Sequence, residues 1–343
     1  MAAQGKPGPP PNPLKIFETA RAYQLSYIMR AAVELDVFTA IAKGSHTVAE
    51  LAKACQASER GVRILCDSLT VMGILSKQGK AYSLTPDSAF FLDSRSPAYL
   101  GKAFKFMLHP RNLENLQGLA ETVRRGSTAG NDAAFAPEDP IWVDFARGMA
   151  PLTVSAAQEI AKILQPELAG KPAPKVLDVA AGHGTFGITV AQQIPSAQIY
   201  AVDWANVLAV AKENAQAQGI SDRHHLLSGS AFDVDFGKGY DAALVTNFLH
   251  HFDPATNESL LKKIHKAMNP GGQLIILEFV PNEDRISPPA AALFSVIMLS
   301  NTLAGDAYTF AELEKMCRNS GFDRARPVPL DPTPQTLVVA RRP

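Results

Sequence analysis

The first residues with types and spacing suited to chemistry are Asp178, Gly182, Gly184 and Gly187, with Asp203 further on. They sit in and after the run Lys175-Val-Leu-Asp-Val-Ala-Ala-Gly-His-Gly-Thr-Phe-Gly187. Glycine lets a backbone approach a ligand where a Cβ would block it. The string Gly182-x-Gly184-x-x-Gly187, with Asp203 at roughly the 20-residue spacing of a ribose-binding acid, fits a dinucleotide fingerprint. Alone it does not separate a nicotinamide enzyme from another nucleoside binder. Asp178 tips the balance. It lies inside the end of the preceding strand, four positions before Gly182. A carboxylate there repels a pyrophosphate and attracts a cation. S-adenosylmethionine carries a sulfonium and an ammonium and no phosphate, so it suits that sign. The plainer alternative for Asp178 is a hydrogen-bond acceptor that braces the loop.

The elements that must position these residues follow from the pattern around them. Val176 to Val179 reads as a buried parallel strand, and from Thr185 the apolar spacing turns helical, with Phe186, Ile188, Val190 and Ala191 near one face. Strand, glycine turn and helix make a nucleotide-sized crevice at a strand end. Further strands are expected at 198–202, 225–227, 240–246 and 274–279, with helices at 207–218, 260–268 and 310–320. Pro270-Gly271-Gly272 reads as a turn, and 325–328 with 336–340 as a closing hairpin. Alternating strands and helices imply a mostly parallel sheet covered on both faces, and the hairpin gives it an antiparallel edge.

The first half of the chain reads differently. Residues 14–42 are helical in period, and aromatic and aliphatic residues such as Phe17, Tyr23 and Tyr27 recur at three and four, which points to a subunit interface. Thr47 caps a short helix, with Glu50 at the capping-box position. Ser58 caps the next helix, to about Met72, with Val62, Leu65, Leu69 and Met72 inward; Gly73 ends it. Two short strands around residues 77–80 complete a winged helix. Its second helix sets Arg60 and Arg63 against Glu59 and Asp67, without the basic stripe of a DNA reader. A packing and dimerisation scaffold is the expectation. Residues 88–135 continue as helices with a polar break at 126–132, and 141–164 reads either as one helix or as two that break at Pro151.

Composition sets the outer bounds. The chain has 343 residues, is 46% apolar and 19% charged, and has equal numbers of basic and acidic residues. This is a globular balance, with no global field to attract nucleic acid or an anionic membrane. Three scattered cysteines, Cys55, Cys66 and Cys317, show no metal-ligand spacing and make a reduced, cytoplasmic protein the expectation. Residues 1–13, rich in Pro and Gly, read as a disordered tail without a signal-peptide core. The apolar stretch 290–299 is too short to span a bilayer. The expected divisions are this tail, a winged-helix dimerisation domain at 14–100, a helical linker lining a pocket at 101–169, and a nucleoside-binding domain at 170–343.

Several segments together carry a resemblance. They are Val176-Leu177-Asp178-Val179-Ala180-Ala181-Gly182-His183-Gly184, Asp203, Leu249-His250-His251-Phe252-Asp253, Asn269-Pro270-Gly271-Gly272 and Glu278. Nearly the whole chain resembles the S-adenosylmethionine-dependent O-methyltransferases of the plant caffeate and hydroxyindole type and their bacterial relatives. The resemblance implies an α/β architecture: a mainly helical winged-helix dimerisation domain, then a Rossmann-like methyltransferase domain with a mostly parallel seven-stranded sheet. It also implies a homodimer, S-adenosylmethionine as cofactor and a small, aromatic acceptor.

By that resemblance Asp203 takes the ribose hydroxyls, as a carboxylate can. Trp204 packs beside the adenine, and Ser230, Ala231 and Phe232 form the loop that holds it. Asn247 joins Asp178, Ala180 and Gly182 in the cofactor set. The family often has Asp at the place of Ser230 and Gly at that of Ala180. His250 aligns with the catalytic histidine. A phenol, with a pKa of roughly 10, is mostly protonated at neutral pH, and a neutral imidazole can take that proton as the oxygen attacks. Glu278 would hold the other ring nitrogen. Phe145, Met149, His251, Met298 and Asn301 are the implied acceptor contacts. His251 replaces the family's Asp, and Ala307 stands where plant members often have a second glutamate. A C-methyltransferase of the same fold, a winged-helix regulator and a nicotinamide dehydrogenase are the alternatives.

Overall fold

The computed structural model describes residues 11–128, 138–331 and 333–343. Most of the expected N-terminal tail, and the polar break beyond Thr128, lie outside the described residues. Chain contacts divide the protein into two compact units that meet in sequence at Leu108 and His109.

The first unit contains α1 (Leu14–Arg21), α2 (Tyr23–Glu34), α3 (Val37–Ala42), α4 (Val48–Ala54), α5 (Glu59–Val71), β1 (Leu75–Gln78), β2 (Ala81–Leu84), α6 (Pro86–Phe91) and α7 (Gly101–Met107). The capping box forms: the Thr47 side chain accepts from the Glu50 backbone N–H, and Glu50 accepts from Thr47 N–H at 2.8 Å. Ser58 caps α5 by accepting from Gly61 N–H. Phe38, Leu51, Val62, Leu69 and Tyr82 are fully buried together. The hairpin is fastened to α5 through Asp67, whose carboxylate accepts from the Tyr82 hydroxyl at 2.8 Å and pairs with Lys77 and Arg63. In contrast, α1 buries no residue, and Leu14, Ile16, Phe17, Tyr23 and Tyr27 stand exposed.

The second unit contains α8 (Pro110–Gln117), α9 (Leu119–Arg125), α10 (Ile141–Leu168), β3 (Lys175–Val179), α11 (Thr185–Gln193), β4 (Gln198–Asp203), α12 (Ala205–Ala217), β5 (His224–Ser228), β6 (Tyr240–Thr246), α13 (Pro254–Ala267), β7 (Met268–Glu278), α14 (Pro289–Asn301), α15 (Phe310–Asn319), β8 (Asp323–Pro329) and β9 (Thr336–Arg341). The seven strands β3 to β9 form one sheet in the order β5-β4-β3-β6-β7-β9-β8. All neighbours are parallel except β9, which runs antiparallel to β7 and β8. The central strands alternate between two apolar layers. Leu177, Val179, Ala243 and Val245 pack with Leu260, Ile264 and Leu313. Val176, Ala242 and Leu244 pack with Ile160, Leu164, Phe186 and Val190. Burial on both faces is why these strands read as continuous apolar runs. Strand order reverses between β3 and β6, which opens a crevice at their C-terminal ends.

Two expected boundaries shift, and the choice between one helix and two at 141–164 resolves to one. α10 is one helix that runs through Pro151 and Pro166 without a break. Its buried face, including Ala146, Ala156, Ala157, Ile160 and Leu164, outweighs the local cost of about 3 kcal/mol for a mid-helix proline. α13 begins at Pro254 and not near Leu260, because Asp253 caps it and proline suits the first turn. Pro270-Gly271-Gly272 lies inside β7, where pairing jumps from Tyr240–Met268 to Ala242–Gln273.

Candidate active site

The glycine loop follows β3 directly. Gly182 and Gly184 adopt φ of 58° and 76°, the left-handed region that glycine tolerates best. Gly187 has a different reason: a Cβ there would lie 2.5 Å from Ile199 Cγ2 and 2.8 Å from Asp178 Oδ2. Ala180 also has positive φ, 55°, which costs a residue with a Cβ about 1–2 kcal/mol. An alanine at this place therefore strains the loop, as a glycine would not.

Two carboxylates face this loop. Asp203 ends β4, and its Oδ2 accepts from Gly182 N–H at 2.8 Å and its Oδ1 from Trp204 N–H at 2.7 Å. Each oxygen keeps a second lone pair for a hydroxyl donor. Burial raises its pKa. Asp178 is fully buried on β3. Its Oδ2 accepts from Gly187 N–H at 3.1 Å, whereas its Oδ1 has no partner. Burial, with the Asp203 charge nearby, pushes its carboxyl up to about 7. An orphan carboxylate oxygen, a vicinal-diol acceptor and a glycine cradle fit a nucleoside that carries positive charge and no phosphate. The residues present suit S-adenosylmethionine.

The flank of the crevice is less regular. Trp204 packs against a cluster formed by Ala146 of α10 and Val207 and Val210 of α12. Ser230 turns its hydroxyl back to Phe232 N–H at 3.2 Å. Ala231 is buried, and the Phe232 ring lies 5.0 Å from that of Phe252. Lys263 of α13, which nothing in the sequence pattern singled out, donates to the carbonyls of Ala231 and Phe232 at 3.0 and 2.7 Å. Asn247 has φ of 53°, and its side-chain oxygen accepts from Gln335.

Beyond β6 the chain turns through a short 3-10 segment, Leu249–His251. Three backbone N–H groups, from Phe248, Leu249 and His250, converge on Glu278 Oε1 at 3.0, 2.8 and 3.4 Å. The other oxygen, Oε2, meets His250 Nδ1 at 2.6 Å. Both side chains are almost fully buried. A carboxylate accepts only, so the shared proton belongs on Nδ1 and Nε2 keeps its lone pair. His251 lies beside His250, with ring centroids 4.3 Å apart, and against Trp142 at 6.1 Å. Burial, then the neighbouring His250, lowers its pKa well below the usual value and keeps it neutral.

The remaining residues lie on helices around this pair. Phe145 is on α10 and meets Trp142 edge-on at 6.0 Å. Met149 is one turn further along, half-buried. Met298 is buried on α14, and Asn301 ends that helix, with its Oδ1 accepting from Asn115 Nδ2 of α8 at 2.9 Å. Phe294 of α14 stands edge-on to the His250 ring at 4.9 Å. Gly305 packs so closely that a Cβ would lie 2.1 Å from the His250 carbonyl oxygen. Trp142, Phe294, Asn115 and Gly305 carry no local motif, and only tertiary packing reveals them. Ala307 is buried and supplies no carboxylate.

Known proteins resemble the chain over nearly its whole length. The model of the O-methyltransferase domain matches residues 141–323, and that of the O-methyltransferase dimerisation domain matches residues 17–94. The structure of a candidate O-methyltransferase from Nostoc punctiforme is 49% identical, with a TM-score of 0.91 over 97% of this chain and 100% of that one. A 3-hydroxy-5-methyl-1-naphthoate 3-O-methyltransferase from Streptomyces sahachiroi is 27% identical over 96% of this chain and 95% of its own. Human N-acetylserotonin methyltransferase, solved in complex with SAM, shares the fold at 21% identity, with a TM-score of 0.84 over 100% and 99% of the two chains.

Proposed function

We propose, for a chain that belongs to the O-methyltransferase family and acts as an S-adenosylmethionine-dependent O-methyltransferase, that it methylates the hydroxyl of a small aromatic, phenolic or polyketide-like acceptor with His250 as general base. The observation that carries this reading is the saturated Glu278–His250 pair, which leaves Nε2 as the free lone pair. Bound S-adenosylmethionine supplies an electrophilic methyl group whose carrier departs as a neutral thioether. What the chain must add is alignment and removal of one proton. His250 Nε2 takes the hydroxyl proton as the oxygen attacks, and Glu278 holds the imidazole in its Nδ1–H tautomer and stabilises the imidazolium. Asp203 holds the ribose diol, and Asp178 faces the positive charge. Gly182 and Ala180 shape the loop. Trp204, Ser230, Ala231, Phe232 and Asn247 line the nucleoside end. Phe145, Met149, His251, Met298 and Asn301 bracket a flat acceptor. Methionine suits such a guest because it is flexible and polarisable. The naphthoate substrate in the Streptomyces relative's name is in keeping with that class.

Methyl-labelled cofactor offered with a panel of phenols, naphthols and indoles tests the reading. Label should appear on an acceptor oxygen; label on carbon alone would replace O-methylation with C-methylation. The dimerisation-domain match and the exposed apolar face of α1 and α2 support a homodimer through the first unit. Sedimentation at micromolar concentration should give a dimer, and a monomer that is fully active would remove that part of the proposal.

A further inference from the structure

His183 lies inside the glycine loop, yet the chemistry above does not use it. It is buried and touches three elements. Its Nδ1 accepts from Thr185 N–H at 3.0 Å, at the start of α11. Its Nε2 lies 3.4 Å from Thr153 Oγ1 on α10. Its carbonyl oxygen accepts from Asn214 Nδ2 of α12 at 2.8 Å. Because Nδ1 is an acceptor, a neutral ring carries its proton on Nε2 and donates it to Thr153. The Thr153 hydroxyl donates onward to the Ala150 carbonyl at 2.8 Å, so its lone pairs are free to receive. The relay runs in one direction, from the loop into the helix. Burial keeps the ring neutral by lowering its pKa to about 4. Thr153 is itself buried, and it follows Phe145 and Met149 at four-residue steps, along one stripe of α10.

We propose that His183 and Thr153 are a positioning pair that couples the cofactor loop to the acceptor helix, so that a filled loop fixes the stripe bearing Phe145 and Met149. The inference rests on the assignment of the loop to the cofactor and of α10 to the acceptor. Neither residue touches reacting atoms. The ring of His183 also lies 5.8 Å from that of Phe186 on α11, so the loop, α10 and α11 meet at this side chain, and α12 is tied to the same residue through its carbonyl. By linkage, whatever the helix gives to the loop, the loop gives back to the helix.

The test is calorimetric titration of S-adenosylhomocysteine into the full chain and its Thr153→Val, Thr153→Ser, His183→Asn and Thr153→Val/His183→Asn variants. Thr153→Val keeps the shape but leaves the Nε2–H without an acceptor. It should weaken binding about 3-fold to 10-fold although it lies on another element. Thr153→Ser should restore near-normal affinity. The double variant should bind no more weakly than His183→Asn alone, since both changes cut one link. Wild-type affinity in Thr153→Val, or a double variant whose losses simply add, would overturn the pairing. Failure of the wild-type chain to bind S-adenosylhomocysteine would instead strike the cofactor assignment. Thermal unfolding of each variant separates a lost link from a lost fold. Once an acceptor is known, Thr153→Val should raise its KM while leaving kcat nearly unchanged.

Discussion

Glu278 and Asp178 are both fully buried carboxylates at the C-terminal ends of parallel strands, and they are finished in opposite ways. Glu278 accepts from three backbone N–H groups and meets an imidazole. Asp178 accepts one N–H and leaves an oxygen with no partner. The first site is complete within the protein, and the second keeps an acceptor that the proposed cofactor would use. The difference follows the chemistry. A base must hold its geometry before the acceptor arrives, and such preorganisation is built from fixed dipoles. A carboxylate proposed to meet a cation needs no such scaffold of donors, because the positive charge itself would favour its ionised form.

The largest effect should come from breaking the finished site. Glu278→Ala leaves three backbone donors and a buried imidazole unpartnered, and should cost about 3–5 kcal/mol of stability, read by urea unfolding. A loss below about 1 kcal/mol would mean that the pair is not integral to the fold. Asp178→Asn should be the reverse case. Its stability at neutral pH should stay within about 1 kcal/mol, but its affinity for S-adenosylmethionine should fall roughly 10-fold, equivalent to 1.4 kcal/mol. Unchanged affinity would return Asp178 to a loop brace.

The pH dependence has a definite sign. The carboxyl of Asp178 is raised from 3.8 to about 7 in the fold. Its contribution to stability is therefore fully present below 3.8 and is lost as pH rises through about 7. Between those values the folded protein holds a proton that a bound cation should expel. Calorimetry of S-adenosylmethionine binding near pH 6 in buffers of different ionisation enthalpy should show proton release. The release should vanish in Asp178→Asn. Equal enthalpies in every buffer for the wild-type chain would contradict the proposed meeting of Asp178 with the cation.

The same contrast explains what could be read from sequence. The placement of both carboxylates at strand ends is legible, because Asp178 precedes a glycine motif and Glu278 closes an apolar strand. The sheet was legible because its central strands are apolar on both faces. The start of α13 was missed although Asp253-Pro254 announces it. The continuity of α10 through Pro151 was not legible, since the compensating burial comes from residues far along the chain. Nor was the strain at Ala180, which depends on φ and not on size. Trp142 and Phe294 reach the His250–His251 pair from two different helices, and Asn115 meets Asn301 from a third. No local spacing connects them.

The most direct test of the central claim compares His250→Gln with the wild-type chain on two phenolic acceptors of different acidity, at saturating S-adenosylmethionine. General-base catalysis is worth about 10² to 10⁴ in rate. With the weaker acid, kcat should fall by that amount while affinity for S-adenosylhomocysteine stays within about twofold. With an acceptor already ionised at the assay pH, most of the loss should disappear, because no proton remains to be taken. Equal losses on both acceptors would make His250 a structural residue, and near-full activity on both would place the base elsewhere.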